Sequence, residues 1–194
     1  MTTAPDPESS GPASEPASEP ASVAAADPTT PAQPGPTFFL NLATIPGSAT
    51  AKGFAGQIPL LTWGWGVDSS ASVLVGGGAG TGKPTPQDVV LRARTGIQSP
   101  KILAAVNTGR HLQSALLTCV KPGNRPFTFI TLTFEDVLVT GYYVTPDPKD
   151  GVPLDLVRLK FAKVTQKLFT QNPDGTAGQP VVSSFDYKTN TAGP

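Results

Sequence analysis

Sustained hydrophobic patterning begins at Phe38-Phe39-Leu40-Asn41-Leu42, a short apolar run closed by the turn signal Ile45-Pro46-Gly47-Ser48, which predicts a first strand. From Leu61 to Asp68 the large apolar residues fall on odd positions and the small or polar ones on even positions, the period of two that marks a strand. Trp63 and Trp65 then face one way, and Gly64 and Gly66 leave the other face flat, as where another backbone approaches closely. Ala71 to Val75 reads as a strand running into Gly76-Gly-Gly-Ala-Gly80-Thr-Gly-Lys83, and Pro84 and Pro86 keep the chain extended beyond it. A long protruding loop is expected there. Val89 to Thr95 alternates again from Leu91 onward.

One helix follows. Ser99 can cap it, Pro100 fits its first position, Ile102, Leu103 and Val106 make an apolar stripe, and Gly109 stops it after about three turns. Leu112 to Val120 and Phe127 to Val144 are strand-like. In the second, Ile130, Leu132 and Phe134 alternate against Thr131, Thr133 and Glu135, and the length predicts one long bent strand. Residues 154–170 fit both periods: Leu154, Val157, Phe161, Val164 and Leu168 suit a helix, whereas Val157, Leu159 and Phe161 suit a strand. A strand bulged near Ala162 accounts for the change of apolar phase between Phe161 and Val164, and is the reading adopted. Ser183 to Thr189 closes the set as a last short strand. About eight antiparallel strands with one short α-helix make a mainly β fold, a closed or nearly closed β-barrel.

Residues 1–36 read differently. They hold nine of the 22 prolines and the small repeat Pro12-Ala-Ser-Glu-Pro16-Ala-Ser-Glu-Pro20, with almost nothing apolar larger than Ala. Such a segment cannot bury enough surface to offset its chain entropy, so a disordered, extended extension is expected ahead of a barrel domain at 37–194.

Composition sharpens this picture. Only 14% of the 194 residues are charged and 7% are aromatic, so the surface is rich in Thr, Ser and Gly, which favours β structure over a helical bundle. The net charge of zero hides an asymmetry. Residues 1–36 carry five of the 14 acids and none of the 14 bases, leaving nine acids against fourteen bases in residues 37–194. A surplus so small and scattered does not argue for nucleic acid, whose binders concentrate Lys and Arg on one face. The single cysteine, Cys119, sits in an apolar run and is expected to be a buried thiol. One Cys and one His do not make a zinc site of the ordinary kind, so no metal is expected. Ala21 to Ala26 is too short for the core of a signal peptide and follows no basic region, and no stretch approaches the ~20 apolar residues of a membrane span. Synthesis in the cytoplasm, without membrane insertion, is expected.

Candidate chemistry is sparse. Gly77-x-x-x-x-Gly82-Lys83 follows an apolar run as a nucleotide-binding phosphate loop would, but Pro84 stands where a Ser or Thr should hold magnesium, and no helix pattern follows. His111 is the only imidazole, and no Gly-x-Ser-x-Gly elbow offers it a nucleophile; a structural hydrogen bond to nearby backbone is expected. Glu135 and Asp136 are adjacent, so on a regular strand they point to opposite faces and suit a solvated charge and a turn or bulge partner. Arg92 and Arg94, and Lys160, Lys163 and Lys167, read as strand-surface charges, with a subunit contact or a lumen as the alternative.

Taken in order, several pieces do match a family. Trp63-Gly64-Trp65-Gly66, the glycine-rich Gly76 to Gly82 with Lys83, Asp88 opening the next strand, Ser99-Pro100 before a helix with Leu103, and Gly109-x-His111 together resemble the Hcp family, the haemolysin-coregulated tube proteins of bacterial type VI secretion. The likeness spans about residues 37–190 and rests on the ordered set, no single piece being specific. It implies a β-barrel flanked by one helix, assembled as homo-hexameric rings that stack into a hollow tube, with strand at 154–170. It also implies that Ser69 to Gln87 is an arm reaching the neighbouring ring, with Ser72, Val73, Leu74, Val75, Gly76, Gly77, Gly78, Gly80, Gly82 and Lys83 at the contact. Glycines let a backbone lie against another chain, and Lys83 offers it a charge.

By the same resemblance Trp63 and Trp65 anchor the core or a subunit interface, His111 and Ser99-Pro100 hold the helix, no residue is catalytic, and no cofactor is needed. The tube would be built in the bacterial cytoplasm inside a contractile sheath, tipped by a spike protein, loaded with effectors in its lumen, and expelled to the outside. One departure stands out. Members usually begin almost directly at the first strand, whereas this chain places 36 residues before it. Docking, solubility and cargo contact are the candidate roles of that extension, and a standard type VI machine and a related contractile injection system both stay open. From the residues alone, a monomeric ligand- or partner-binding barrel with a glycine-rich lid remains the alternative.

Overall fold

The computed structural model describes Met1 and residues 37–69, 83–123 and 125–193. In chain order the elements are β1 (Thr37–Leu42), β2 (Ile58–Gly64), β3 (Val67–Ser69), β4 (Pro84–Pro86), β5 (Val89–Arg94), α1 (Ser99–Thr108), β6 (His111–Lys121), β7 (Phe127–Pro146), β8 (Pro153–Lys160), β9 (Lys163–Gln171), β10 (Ala177–Asp186) and β11 (Thr191–Gly193). The expected strand at Ala71–Val75 and the N-terminal extension lie outside the described residues.

Six strands close into an antiparallel barrel in the order β7-β6-β1-β2-β5-β8, with β8 returning to pair with the second half of β7. Closure leaves these strands no open edge between them. β9, β10 and β11 extend the sheet outward from the first half of β7. The interior follows from alternation: Leu40 and Leu42 on β1, Val89, Leu91 and Ala93 on β5, Ala115, Leu117 and Cys119 on β6, and Val157 and Leu159 on β8 are all buried in one core. Each large apolar side chain so buried contributes roughly 1.5–3 kcal/mol.

The long bent strand is β7, and its bend has a local cause. Leu132 and Phe134 are buried before Asp136, and Val137 and Val139 after it, so the inward phase flips. The flip occurs at Asp136, which takes the left-handed backbone conformation at φ 53°. β8 and β9 lie end to end along this strand, with Leu138 opposite Lys160 and Glu135 opposite Lys163. Between them Phe161 and Ala162 interrupt the strand without changing its register, and the Ala162 amide donates to the Glu135 carbonyl at 3.0 Å. The double periodicity of residues 154–170 is therefore two strands broken at Phe161-Ala162, and not one strand bulged by an extra residue as expected, with Val157 and Leu159 buried before the break and Val164 after it.

Four readings of the sequence are corrected. Leu61 does not share the face of Trp63: the register slips between Leu60 and Thr62, and Leu61 is 48% exposed. In α1 the buried residues are Ser99, Ile102 and Ala105, with Val106 partly buried against the core as expected, while Leu103 faces solvent at 45% exposure, so Ala105 and not Leu103 belongs to the stripe. Ser99 is the first helical residue and not the cap; Gln98 precedes it in helical conformation and makes no side-chain cap, its side-chain Nε2 instead donating to the Arg94 carbonyl at 2.7 Å. The final long strand runs from Ala177 to Asp186, not from Ser183 to Thr189, ends in a turn, and is followed by the short β11; the mainly β fold with a closed antiparallel barrel and one short helix is the one expected. The helix stop matches expectation, with Gly109 at φ 60° and its amide on the Ala105 and Val106 carbonyls.

Candidate functional site

β3 and β4 form the base of a hairpin that pairs Val67 with Pro86, Asp68 with Thr85 and Ser69 with Pro84. The Gln87 amide donates to the Gly66 carbonyl at 2.9 Å, and the Gln87 side chain donates to Asp68, which clamps the base from its open end. Ser72, Val73, Leu74, Val75, Gly76, Gly77, Gly78, Gly80 and Gly82 lie outside the described residues. Lys83 is exposed at the point where the chain re-enters β4. The segment after it is extended strand, not the helix whose amides would face a bound phosphate, so the geometry opposes the nucleotide reading.

Trp63 and Trp65 both pack against the barrel core while keeping part of their surface exposed. Trp63 meets Phe38 edge-on at 6.3 Å, and Trp65 meets Phe134 at 6.0 Å and Phe161 at 5.8 Å. Such edge-to-face pairs add about 0.5–1.5 kcal/mol each beyond area burial. Gly64 and Gly66 have open space where a side chain would sit, so no backbone of the described chain fills the flat face they leave. Beside Trp65 a cleft of about 350 Å³ separates the hairpin base at Val67 and Pro84 from Gln166, Ser183 and Phe185 of the outer sheet.

A second cluster holds the helix. Asp155 of β8 is fully buried, and its carboxylate accepts hydrogen bonds from Thr95 Oγ1 at 2.8 Å, Tyr142 OH at 3.0 Å and Ser99 Oγ. Ser99 Oγ also accepts from the Gly96 amide at 2.9 Å. Burial, and then Asp155, raises the Tyr142 phenol above its ordinary range, which keeps it a donor. Just outside, Arg94 grips Asp150 with both guanidinium nitrogens at 2.8 and 3.0 Å and reaches Asp147 at 3.3 Å. The motif reading found Ser99-Pro100 but missed Asp155. The only signal was a carboxylate inside an otherwise apolar strand, Leu154-Asp155-Leu156-Val157.

His111 does not bond backbone as expected. Its Nδ1 lies 3.0 Å from Asp136, whose other oxygen takes Lys188 from the turn after β10. These contacts, Lys188 first and His111 second, hold the Asp136 carboxyl below its usual range. His111 thus ties β6 to the point where β7 changes its inward phase. Glu135 pairs separately with Lys163 at 3.1 Å. Asp88, just ahead of β5, accepts from Thr140 Oγ1 at 3.3 Å. Among the described residues no cluster of His, Cys, Asp or Glu could hold a metal ion, and no helix is long and apolar enough to cross a membrane.

The fold and these motifs have relatives. The family described as type VI secretion system effector, Hcp, matches residues 39–168. Among solved structures, a type six secretion system protein superposes with a TM-score of 0.75 at 20% identity, covering 81% of this chain and 99% of the other. Hcp1 from Salmonella typhimurium gives 0.67 at 20% identity over 81% and 98% of the two chains. A type VI secretion system effector from Yersinia pestis gives 0.62 at 19% identity over 77% and 98%. No curated protein matches the chain in sequence.

Proposed function

Because this chain belongs to the Hcp family of type VI secretion proteins, whose members build the secretion tube, we propose that it is a structural subunit that self-associates into hexameric rings and stacks them into the inner tube of the apparatus. The observation that carries this is the family match over residues 39–168, on a closed barrel with an outer sheet and, among the described residues, one docked helix. Three physical features support it. A closed barrel is a rigid unit for stacking; the flat strip at Gly64 and Gly66 leaves room for another chain; and the clamped hairpin base gives the segment beyond Ser69 a fixed point of departure.

In this reading the arm is Ser69 to Gln87, with Ser72 to Gly82 and Lys83 contacting the next ring. Spike, sheath and lumenal effectors are the partners that membership of the family implies, and export through the apparatus follows from them. The chain performs no catalysis. Removing Gly76 to Lys83 tests the arm: stacked assemblies of the intact chain should fall apart to single rings in sedimentation, and unchanged stacking would reject the assignment.

A further inference from the structure

Between α1 and the turn that follows β1 lies an open cavity of about 500 Å³, within the ~300–1,000 Å³ of small-molecule sites. Its floor is apolar, from buried Ile45 and Ala105 with Ala104 beside them. Lys101 of α1 and Arg110 beyond its end stand in the wall with Thr44 and Thr108, and no acid lines it. Neither base forms an ion pair among the described residues, and α1 itself contains no acid. Asp136, which meets His111 next in the chain to Arg110, has its two oxygens taken by His111 and Lys188.

The donors in this wall are held in place. The Arg110 amide donates to the Ala105 carbonyl at 3.2 Å, which fixes the root of its side chain, and the guanidinium Nη2 donates to Thr44 Oγ1 at 2.6 Å. The planar fork keeps further N–H donors for an oxyanion. Because the Thr44 hydroxyl accepts from Arg110, its own proton is left to donate. Thr44 sits at φ 68°, a left-handed conformation that a β-branched residue rarely takes, so the turn sets this hydroxyl on Arg110 against its own backbone preference. Thr108 spends its proton on the Ala104 carbonyl at 2.8 Å and offers only lone pairs.

Charge selects the ligand. Lys101 and Arg110 bring two positive charges with none to balance them in the cavity wall. A carboxylate neutralises one; the dianion of a phosphate monoester neutralises both, and its terminal oxygens accept from Arg110, Lys101 and Thr44 together. Lys101 and Thr108 lie about 10 Å apart along the helix, so the long side chains of Lys101 and Arg110 close from opposite ends on a group lying over Ala104. The apolar floor then takes the carbon body of the ester.

We propose that the cavity between α1 and the turn after β1 is a binding site for a small phosphate monoester, its phosphoryl group held by Arg110, Lys101 and Thr44 and its apolar body on Ile45, Ala104 and Ala105.

The test is isothermal titration calorimetry of the full-length protein with phenyl phosphate, inorganic phosphate and benzoate, in a phosphate-free buffer of low ionic strength. The expected result is one phenyl phosphate per chain, bound about tenfold or more tighter than inorganic phosphate, which lacks the body, and than benzoate, which lacks the second charge. Arg110→Gln and Lys101→Gln should each weaken it about tenfold, while Lys121→Gln, a base outside the cavity, should leave it unchanged. Thr44→Gly should weaken binding without lowering the melting temperature, since glycine suits φ 68°. No saturable heat at millimolar phenyl phosphate, or equal binding by the unaltered chain and Arg110→Gln, would overturn the proposal. Inorganic phosphate bound as tightly as phenyl phosphate would overturn it as well, as would binding of a phosphotyrosine peptide with none of phenyl phosphate.

Discussion

Ser99, the first residue of α1, donates its hydroxyl hydrogen bond to Asp155 of β8, a carboxylate with no exposed surface. The helix is thereby keyed to the barrel at one buried point that Thr95 and Tyr142 also share. Changing Asp155→Ala takes the acceptor from the buried Ser99 hydroxyl, the half-buried Tyr142 and the exposed Thr95 and is expected to cost about 2–4 kcal/mol, while Ser99→Ala costs about 1–2 kcal/mol by losing one of these bonds. Urea titration of each variant, and of the pair together, checks this; strictly additive losses would contradict a shared network.

Tyr142 adds a pH signature to the same point. Its folded-state pKa is raised, first by burial and then by Asp155, so its contribution is fully present below the ordinary phenol value of about 10 and is lost as pH rises through the folded value. Ultraviolet titration should show two of the three tyrosines, Tyr142 and the half-buried Tyr187, ionising late, and Tyr142→Phe should remove one of the two.

The change of inward phase along β7 makes a backbone demand at Asp136. At φ 53° an Asn is tolerated and a β-branched residue is not, so Asp136→Asn should cost little, whereas Asp136→Val should cost about 2 kcal/mol or more in thermal melts. The Asp136 carboxyl is held low by Lys188 and then His111, so that contact is intact above the ordinary carboxylate value of about 4 and is lost as pH falls through the depressed one. Amide exchange in residues 187–190 should rise on that descent, and should already be high at neutral pH in Lys188→Ala.

Gly47 is a position of close approach: a Cβ there would lie 2.3 Å from the Gln57 carbonyl oxygen. Its amide donates to Gly56 at 2.8 Å, so the chain cannot simply move away. Gly47→Ala is expected to lower the melting temperature by several degrees, about 1–3 kcal/mol of overpacking.

Cys119 reports on the barrel interior. Burial pushes its thiol up to about 11, so it should resist a disulfide reagent at pH 8 in the folded protein and react fully in denaturant. Fast native reaction would mean the barrel opens near β1 and β6.

Most strands were legible because alternation survives wherever one face is buried, as in Leu91 to Arg94 and Ile130 to Phe134. What alternation cannot show is where a strand break or a bulge resets the phase. Near Ala162 the apolar residues themselves changed phase and betrayed it, but at Leu61 an exposed leucine continued the odd-position run and concealed it. Leu103 misled for a related reason: an apolar residue next to the true stripe of Ile102 and Ala105 looks like part of it. Polar partners were harder still. Asp155 with Ser99, and Asp136 with His111, are joined across 56 and 25 residues, and only the closed barrel brings them together. The family resemblance, by contrast, was readable from short motifs whose order mattered more than any one of them.

The measurement that bears most directly on the tube reading is native mass spectrometry combined with negative-stain microscopy of the full-length protein. The account predicts rings with a central hole at six times the 20.0 kDa subunit mass, lengthening into stacks as concentration rises. A 20.0 kDa monomer at every concentration, with no rings on the grid, would contradict it.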